Sequence, residues 1–376
     1  MKVIATADVH LGMKFSGYDA IQSELAEERF RSLERVVGAG NAAEADLLVV
    51  AGDLFHRVGV ALGTVERAAA ILDHFAGAAI AVLPGNHDYL VPAGDRLWTQ
   101  FRAAAGDRTI VLDRAAPVDL SLYDLPVTIL AAPCDARHSP GHRLEWAADV
   151  SRPDGHLVIG VAHGSIDGLT LDAEGHYFPM DRRLLASLPA DLWLVGHTHR
   201  CHDVRDARLV VPGAPEPDGF DCPVAGGAVV VHFPADPPNS GQYAAYELET
   251  VPTGRFRFVD ASVELDDAPG ASTAEDLRNA VLATLPAGEV LVRVSVRGTL
   301  ASEAFERWSA AYRSLADDPR IVRISDDELV RVLTQDDVDR RFAAGSFAHR
   351  LLSRLLEQDD RDGLAEALAL IDEVGA

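Results

Sequence analysis

Short apolar runs alternate with amphipathic segments along the chain as far as residue 215. The apolar runs are Val3–Ala7, Asp46–Ala51, Ala78–Leu83, Val127–Ala131, Leu157–Ala162, Leu192–Val195 and Leu209–Val211. Apolar residues at helical spacing mark Asp19–Val37, Thr64–Phe75 and Asp95–Ala105. This alternation predicts sheets that are covered by helices. From Gly227 the pattern becomes all-β, with strands predicted at Ala228–Phe233, Ala244–Leu248 and Phe256–Val259.

A second, smaller domain is predicted to follow a turn-rich linker at Asp266–Gly270. Ser272 and Glu275 have the spacing of a helix capping box. The elements that follow are a helix ending at Leu285, an alternating half-buried strand at Val290–Arg297, a helix at Ser302–Leu315 and a strand at Ile321–Ile324. The chain is thus expected to comprise a main domain over 1–265, an α+β domain over 266–334 and a helical tail over 335–376.

The tail carries two apolar stripes at helical spacing. One stripe is Phe347, Leu351 and Leu355, and the other is Leu364, Leu368 and Ile371. Such stripes usually pack on the body of their own chain. The alternative is a docking site for a partner helix, and the stripes alone leave both open.

The composition is that of a strongly acidic globular protein. The 376 residues carry a net charge of -24, and only Lys2 and Lys14 are lysines among 34 basic residues. An acidic chain repels nucleic acid unless its basic groups are concentrated in one place. Three cysteines without a C-x-x-C pair predict a reduced, cytoplasmic setting. No apolar run is long enough to predict a transmembrane helix.

Polar residues directly follow five of the predicted strands. The five endings are Asp8-Val9-His10, Gly52-Asp53, Asn86-His87-Asp88, His163 and Gly196-His197-Thr198-His199. Because the carboxyl ends of strands in such sheets line one crevice, we expect these side chains to converge. A single histidine is more often a satisfied surface or core residue, and nine of the fourteen lie outside this set. Five endings together favour metal binding.

The predicted ligands are oxygen and imidazole groups, which suit Mn, Fe, Zn or Mg rather than a soft metal. They are too many for one ion and divide into two sites that share a carboxylate, as in two-metal hydrolases. No Cys-His or Ser-His-Asp grouping and no Walker-type motif competes with them.

In these motifs the chain resembles the calcineurin-like metallophosphoesterases, whose fold is a four-layer α/β/β/α sandwich. Their motifs D-x-H, G-D, G-N-H-D, H and G-H-x-H stand here at Asp8/His10, Gly52-Asp53, Gly85-Asn86-His87-Asp88, His163 and Gly196-His197-Thr198-His199. The resemblance implies a first metal on Asp8, His10, Asp53 and His199, and a second on Asp53, Asn86, His163 and His197. It makes His87 the acid at the leaving oxygen, oriented by Asp88.

Finer features resemble the SbcD-type branch of DNA-repair nucleases and its YhaO-like members. They are Asp8-Val9-His10-Leu11-Gly12, Gly52-Asp53-Leu54-Phe55-His56 and Val251-Pro252-Thr253-Gly254-Arg255-Phe256, with Leu291-Val292-Arg293 in the small domain. The resemblance implies a small domain that caps the active site, C-terminal helices that dock an SbcC- or YhaN-like ATPase, and a homodimer. His56 is then either a substrate-side residue or an ordinary loop histidine.

The sequence therefore predicts a two-metal phosphodiesterase, with DNA ends, single- or double-stranded, as the expected substrate. Several basic residues lie near the motifs and together could form a local groove: Lys14, Arg57, Arg96, Arg200, Arg293 and Arg297. Each of them alone is typical of a solvated surface residue. One alternative is a phosphoesterase for small phosphodiesters or cyclic nucleotides. Another is a non-catalytic scaffold on the same fold, which would be expected to have lost ligands.

Overall fold

The structure, a computed structural model, describes residues 1–18, 21–91, 94–170, 172–234, 242–266, 273–286 and 288–375. The strands are β1 (Lys2–Thr6), β2 (Leu47–Ala51), β3 (Ala79–Leu83), β4 (Thr109–Val111), β5 (Ala116–Asp119), β6 (Val127–Ala132), β7 (Leu157–His163), β8 (Leu192–Gly196), β9 (His202–Val204), β10 (Leu209–Val211), β11 (Gly227–His232), β12 (Glu247–Pro252), β13 (Arg257–Asp266), β14 (Val290–Ala301) and β15 (Ile321–Val332). The helices are α1 (Gln22–Ala42), α2 (Leu62–Asp73), α3 (Arg96–Ala104), α4 (Arg182–Ser187), α5 (Ala274–Thr284), α6 (Ser302–Ala316), α7 (Gln335–Arg341), α8 (Phe347–Glu357) and α9 (Arg361–Gly375). Among these residues no helix has both the length and the apolar character needed to cross a lipid bilayer.

The chain divides into two compact units, Met1–Arg257 and Phe258–Ala376. The first unit contains two sheets, with the strand orders β12-β11-β1-β2-β3-β4 and β5-β6-β7-β8-β10-β9. Strands β1, β2 and β3 are parallel to one another, as are β6, β7 and β8. Their carboxyl ends therefore lie at the same edge of each sheet, which is where the sequence predicted the polar endings.

Alternate residues of the buried strands face opposite sides of their sheets. In β2, Leu47 and Val49 belong to the core between the two sheets, whereas Leu48 and Val50 pack with residues of α1, α2 and α3. The outer face of the second sheet packs in the same way against α4 and its neighbouring turns. The four-layer α/β/β/α sandwich predicted from the sequence is confirmed. Two buried faces explain why these strands read as continuous apolar runs.

The second unit begins earlier than the predicted boundary at residue 266. Strand β13 is paired with β14 in the three-stranded sheet β13-β14-β15, so it belongs with the α+β module. The capping box of α5 is formed by Thr273 and Asp276 rather than by Ser272 and Glu275. Ser272 and most of the predicted linker lie outside the described residues. The four valines of β14 are buried, as the alternation predicted.

The tail is helical, as predicted, and lies in the same compact unit as the α+β module. The residues of its two stripes differ in burial. Leu364 and Leu368 are buried in a small core with Leu333, Val338 and Leu352. Phe347 is 72% exposed and lines an open groove between α8 and α9. Leu355 and Ile371, one from each stripe, pack against this core and also line the groove, so each stripe packs only in part on the chain's own body.

Candidate metal and catalytic site

The structure brings all seven predicted metal ligands together at the carboxyl ends of five strands. Asp8 and His10 follow β1, Asp53 follows β2, Asn86 follows β3, His163 ends β7, and His197 and His199 follow β8. Most of these polar side chains are buried, and Asp8 is completely so. Burial of so many polar groups is costly unless they have partners.

Asp53 lies at the centre of the cluster. Its Oδ2 atom is 3.3 Å from His163 Nε2 and 3.8 Å from His10 Nε2. Its Oδ1 atom accepts a hydrogen bond of 2.8 Å from the backbone N–H of His87. One carboxylate therefore contacts both halves of the cluster, which is the position expected of a shared ligand.

The other predicted ligands complete two adjoining groups. Asn86 Oδ1 is 3.0 Å from His163 Nε2 and 3.2 Å from His197 Nδ1. On the other side, Asp8 Oδ1 is 3.9 Å from His199 Nε2. Among the described residues, the ligand atoms of Asp8, His10 and His199 lie within 4.8 Å of one another, as do those of Asp8, Asp53 and His163. A third such group is His10, His56 and His87.

The backbone at the strand ends is held in an unusual conformation. Asp8, His10, Asp53 and His197 have positive φ angles of 55°, 51°, 55° and 94°. The left-handed region costs free energy for residues other than glycine, and it persists only where surrounding contacts enforce it. Four such residues at one site indicate that the fold fixes the directions of these side chains.

Two motif glycines are needed because the strand ends approach each other closely. A Cβ atom on Gly52 would lie 2.0 Å from Nδ1 of His163, and Gly52 also has a φ of +94°. A Cβ atom on Gly85 would lie 2.2 Å from Oδ1 of Asp53. The glycines of the G-D and G-N-H-D motifs therefore make room for the ligands themselves.

A Gly52→Ala variant is expected to lose about 3 kcal/mol of unfolding free energy, because both the backbone angle and the contact with His163 become unfavourable. Urea denaturation measures this loss. Gly59→Ala is the matched control, since no atom lies within 4 Å of a Cβ there, and it should change stability by less than about 0.5 kcal/mol. Equal stabilities for the two variants would show that the packing around Gly52 is looser than described.

The carboxylates of the site hold protons on two imidazoles. Burial alone lowers the pKa of His163, but the charges of Asp53 and Asp8 outweigh it and raise the pKa to about 9. Burial is likewise outweighed at His199, where Asp218 raises the pKa to about 9. The site is therefore a place where negative charge attracts cations, and a bound metal ion would compete with these protons.

Burial favours the neutral form of two other groups at the site, the imidazole of His197 and the carboxyl of Asp88. Burial, reinforced by the neighbouring His163, lowers the pKa of His197 to about 3, which leaves that imidazole neutral and able to act as a ligand. Burial and the charge of Asp53 raise the pKa of Asp88 to about 8, against the effect of two backbone N–H donors.

The residues present fit a pair of divalent cations. The donors are carboxylate oxygens, an amide oxygen and imidazole nitrogens, and they are of the type that Mn, Fe, Zn and Mg accept. Nε2 of His10 faces the carboxylate of Asp53 at 3.8 Å, so this imidazole presents a nitrogen to the same group of oxygen donors.

The predicted contact between Asp88 and His87 is replaced by a different one. The carboxylate of Asp88 accepts hydrogen bonds from the N–H groups of Phe55 (2.9 Å) and Gly85 (2.7 Å). His87 instead places Nδ1 3.0 Å from the backbone oxygen of His56. Asp88 thus joins the loops after β2 and β3, and the His56 carbonyl orients the imidazole of His87.

The predicted substrate-side residues have different surroundings. Arg200 lines a cleft of about 480 Å3 together with Asn86, His87, His197 and His199. Lys14 and Arg57 are exposed on the loops that follow β1 and β2. The ring of His56 lies 5.3 Å from that of His87 and 5.5 Å from that of His10, so it is next to the site rather than on a remote loop.

The arginines of β14 do not form a set of unpaired cations. Arg293 makes two hydrogen bonds, of 2.7 and 2.9 Å, with Asp260, and Arg297 lies 3.4 Å from Glu264. Both acidic partners are on β13, the neighbouring strand. Their charges offset those of the arginines, which weakens the predicted contribution of this face to a basic groove.

Two residues of the site were not predicted. Asp218 lies 3.0 Å from Nδ1 of His199, and Tyr177 places its ring 5.0 Å from that of His197. Both are on loops and outside the five strand endings. No periodic pattern in the sequence indicates that either residue lies at the site.

Comparisons with known proteins agree with the site. Residues 1–201 match the family model for the calcineurin-like phosphoesterases. The chain is 26% identical over 206 residues to the uncharacterized metallophosphoesterase YhaO of Bacillus subtilis, a match covering 52% of this chain and 48% of that protein. It is 30% identical over 176 residues to the DNA double-strand break repair protein Mre11 of Aeropyrum pernix, covering 44% and 42%. The chain therefore spans about half the length of the curated relatives it matches.

Two solved structures are similar at low sequence identity. TT1561 of Thermus thermophilus matches with a TM-score of 0.40 and 13% identity, covering 67% of this chain and 98% of that one. The calcineurin-like phosphoesterase YfkN of Bacillus subtilis matches with a TM-score of 0.39 and 12% identity, covering 76% and 96%. The family model covers more than half of the chain and includes all five polar strand endings. This chain belongs to the calcineurin-like phosphoesterase family.

Proposed function

We propose that the chain is a two-metal-dependent phosphodiesterase that cleaves DNA, of the SbcD type. The observation that carries the hydrolase is the convergence of six other ligand side chains around Asp53, with His87 beside them. The DNA substrate is supported by the match to a relative that is named as a DNA double-strand break repair protein.

Two groups of residues would hold the metals. Asp8, His10, Asp53 and His199 form the first group, and Asp53, Asn86, His163 and His197 form the second. When bound, divalent cations, for which we propose Mn²⁺, supply Lewis acidity to the phosphoryl group and favour ionisation of an attacking water. The positive φ angles at Asp8, His10, Asp53 and His197 set the directions of four of these side chains.

His87 is the group that we assign to the leaving oxygen. Its backbone N–H is anchored on Asp53, and its Nδ1–H can donate to the carbonyl of His56. When the ring is protonated, its second donor, Nε2–H, is available to a substrate in the cleft that His87 lines. Transfer of that proton would neutralise the alkoxide as the P–O bond breaks.

The net charge of -24 limits how the chain can bind DNA. Lys14, Arg57 and Arg200 are exposed cations on the loops that follow β1, β2 and β8. Three phosphate contacts give a salt slope of about -2.7, which corresponds to about fortyfold weaker binding at 200 mM than at 50 mM salt. The isolated chain is therefore expected to bind DNA weakly and only at low salt.

The test compares three substrates with the Mn²⁺-loaded protein at 50 and 200 mM salt: double-stranded ends, single-stranded DNA and a chromogenic phosphodiester. We expect cleavage of DNA that falls steeply with salt. Turnover of the chromogenic substrate alone would support an enzyme for small phosphodiesters. Hydrolysis of none of them, with metal bound, would support a scaffold. DNA cleavage that is unchanged by salt would contradict the proposed local groove.

We further propose that the groove between α8 and α9 docks a helical coiled coil of an SbcC- or YhaN-like ATPase. The groove has a volume of about 690 Å3 and is lined by Phe347, Leu351, Leu355, Gly363, Glu366, Ala367, Leu370 and Ile371. The opposite face of the same helices is buried against the chain itself. Leu351→Glu should abolish co-purification with the cognate ATPase. Sedimentation of the chain alone tests separately whether it forms the expected homodimer.

A further inference from the structure

We propose that Asp218 is a positioning residue for the first metal: its carboxylate fixes the tautomer and direction of His199, and the buried guanidinium of Arg29 holds that carboxylate in place. This inference rests on the metal site of the proposed function. Asp218 lies outside the five strand endings and outside the matched residues 1–201.

The two nitrogens of His199 face different groups. Nδ1 is 3.0 Å from Oδ1 of Asp218, whereas Nε2 is 3.9 Å from Oδ1 of Asp8, on the side of the predicted first metal. When Nδ1 donates its proton to Asp218, the lone pair of Nε2 is left for a metal ion. A carboxylate behind a ligating imidazole fixes its orientation and makes it a stronger ligand.

Arg29 explains why the carboxylate stays in place. The side chain of Arg29, on α1, is fully buried, and its Nη2 lies 3.3 Å from Oδ2 of Asp218. Its Nη1 donates a 2.6 Å hydrogen bond to the backbone oxygen of Glu216, two residues earlier in the same loop. Asp218 thus uses one oxygen for the arginine and the other for the imidazole. A buried guanidinium also needs a counter-charge, so the experiment must separate neutralisation from positioning.

Two of the other three imidazole ligands are held differently. Nδ1 of His163 is 2.9 Å from the backbone oxygen of Ala51, and Nδ1 of His10 has no hydrogen-bond partner among the described residues. A charged acceptor lies behind His199 in particular. Loss of that acceptor should therefore weaken one metal site and leave the other unchanged.

Asp218→Asn distinguishes the two roles because a guanidinium can only donate hydrogen bonds. The amide oxygen of the variant must turn to Arg29, so its NH2 group faces Nδ1 of His199. Nδ1 then has to accept, which places the proton on Nε2, the nitrogen that should bind the metal. The variant keeps a partner for Arg29 and should remain folded.

The measurement is calorimetric titration of the metal-free full-length chain with Mn²⁺, supported by the visible spectrum of the Co²⁺ form. We expect Asp218→Asn to weaken one of two sites by about 10- to 100-fold and to change the Co²⁺ spectrum. Asp221→Asn removes the same charge from an exposed position of the same loop and should bind Mn²⁺ as the wild type does. In a His199→Ala background, Asp218→Ala should cause no further loss of affinity, because Asp218 acts through His199.

Each other outcome overturns the inference. Wild-type affinity in Asp218→Asn, or a loss only in melting temperature, would show that Asp218 merely neutralises Arg29. An equal loss in Asp221→Asn would show a general charge effect. If the wild-type chain itself bound no Mn²⁺, the proposed function would fail and the inference with it. Two metals bound with equal affinities in the wild type and in Asp218→Asn would overturn the inference alone.

Discussion

Replacing Asp53 by asparagine is expected to remove phosphodiesterase activity almost completely, by at least about a thousandfold. Asp53 is the carboxylate that lies 3.3 Å from His163 and 3.8 Å from His10, between the two groups of ligands. Its loss removes one negative ligand from both predicted metals. Metal ions contribute several kcal/mol to the stabilisation of a phosphoryl transition state, and about 4 kcal/mol corresponds to a thousandfold in rate.

The metal content of Asp53→Asn shows whether this mechanism is the cause. The wild type should contain two Mn²⁺ ions per chain after reconstitution, and the variant should retain at most one. The exposed Asp154 provides a control for the charge change, and Asp154→Asn should keep both the metals and the activity. If Asp53→Asn bound two ions and cleaved its substrate within tenfold of the wild type, Asp53 would not be the shared ligand.

The catalytic fold could be predicted because its strands are buried on both faces. Strands such as β2 and β3 therefore read as unbroken apolar runs between amphipathic helices. Where burial is partial the signal is weaker: β4 and β5 contain no fully buried residue and were not predicted. The start of the second unit was also misplaced, because β13 was interpreted as part of the preceding all-β stretch. Its pairing with β14 cannot be recognised from the local sequence pattern.

The ligand set could be predicted for a topological reason. Parallel strands bring their carboxyl ends to one edge, so residues far apart in the chain, such as Asp8 and His197, come within hydrogen-bonding distance. Contacts that do not follow strand order could not be predicted. The hydrogen bonds of Asp88 to Phe55 and Gly85 depend on how two loops meet. The approach of Asp218 to His199 depends on Arg29, a helix residue almost two hundred positions away.

Replacing His87 by alanine should lower the rate of DNA cleavage by about a hundred- to ten-thousandfold while leaving the metal content unchanged. His87 lines the cleft beside the ligands, yet it is anchored by the carbonyl of His56 and through its own backbone N–H. Its imidazole is thus free to donate a proton from Nε2. The side chain of His74 is exposed at the end of α2, and His74→Ala is the matched control, which should cleave DNA at the wild-type rate.

The choice of leaving group identifies the role of His87. An alkoxide leaving from DNA needs a proton, whereas nitrophenolate leaves readily without one. The His87→Ala variant should therefore lose less than about tenfold on a bis-nitrophenyl phosphodiester. Full DNA cleavage by the variant would remove His87 from the mechanism. If the variant lost activity equally on both substrates and also lost bound metal, His87 would instead be a metal ligand. The close grouping of His87 with His10 and His56 allows that arrangement.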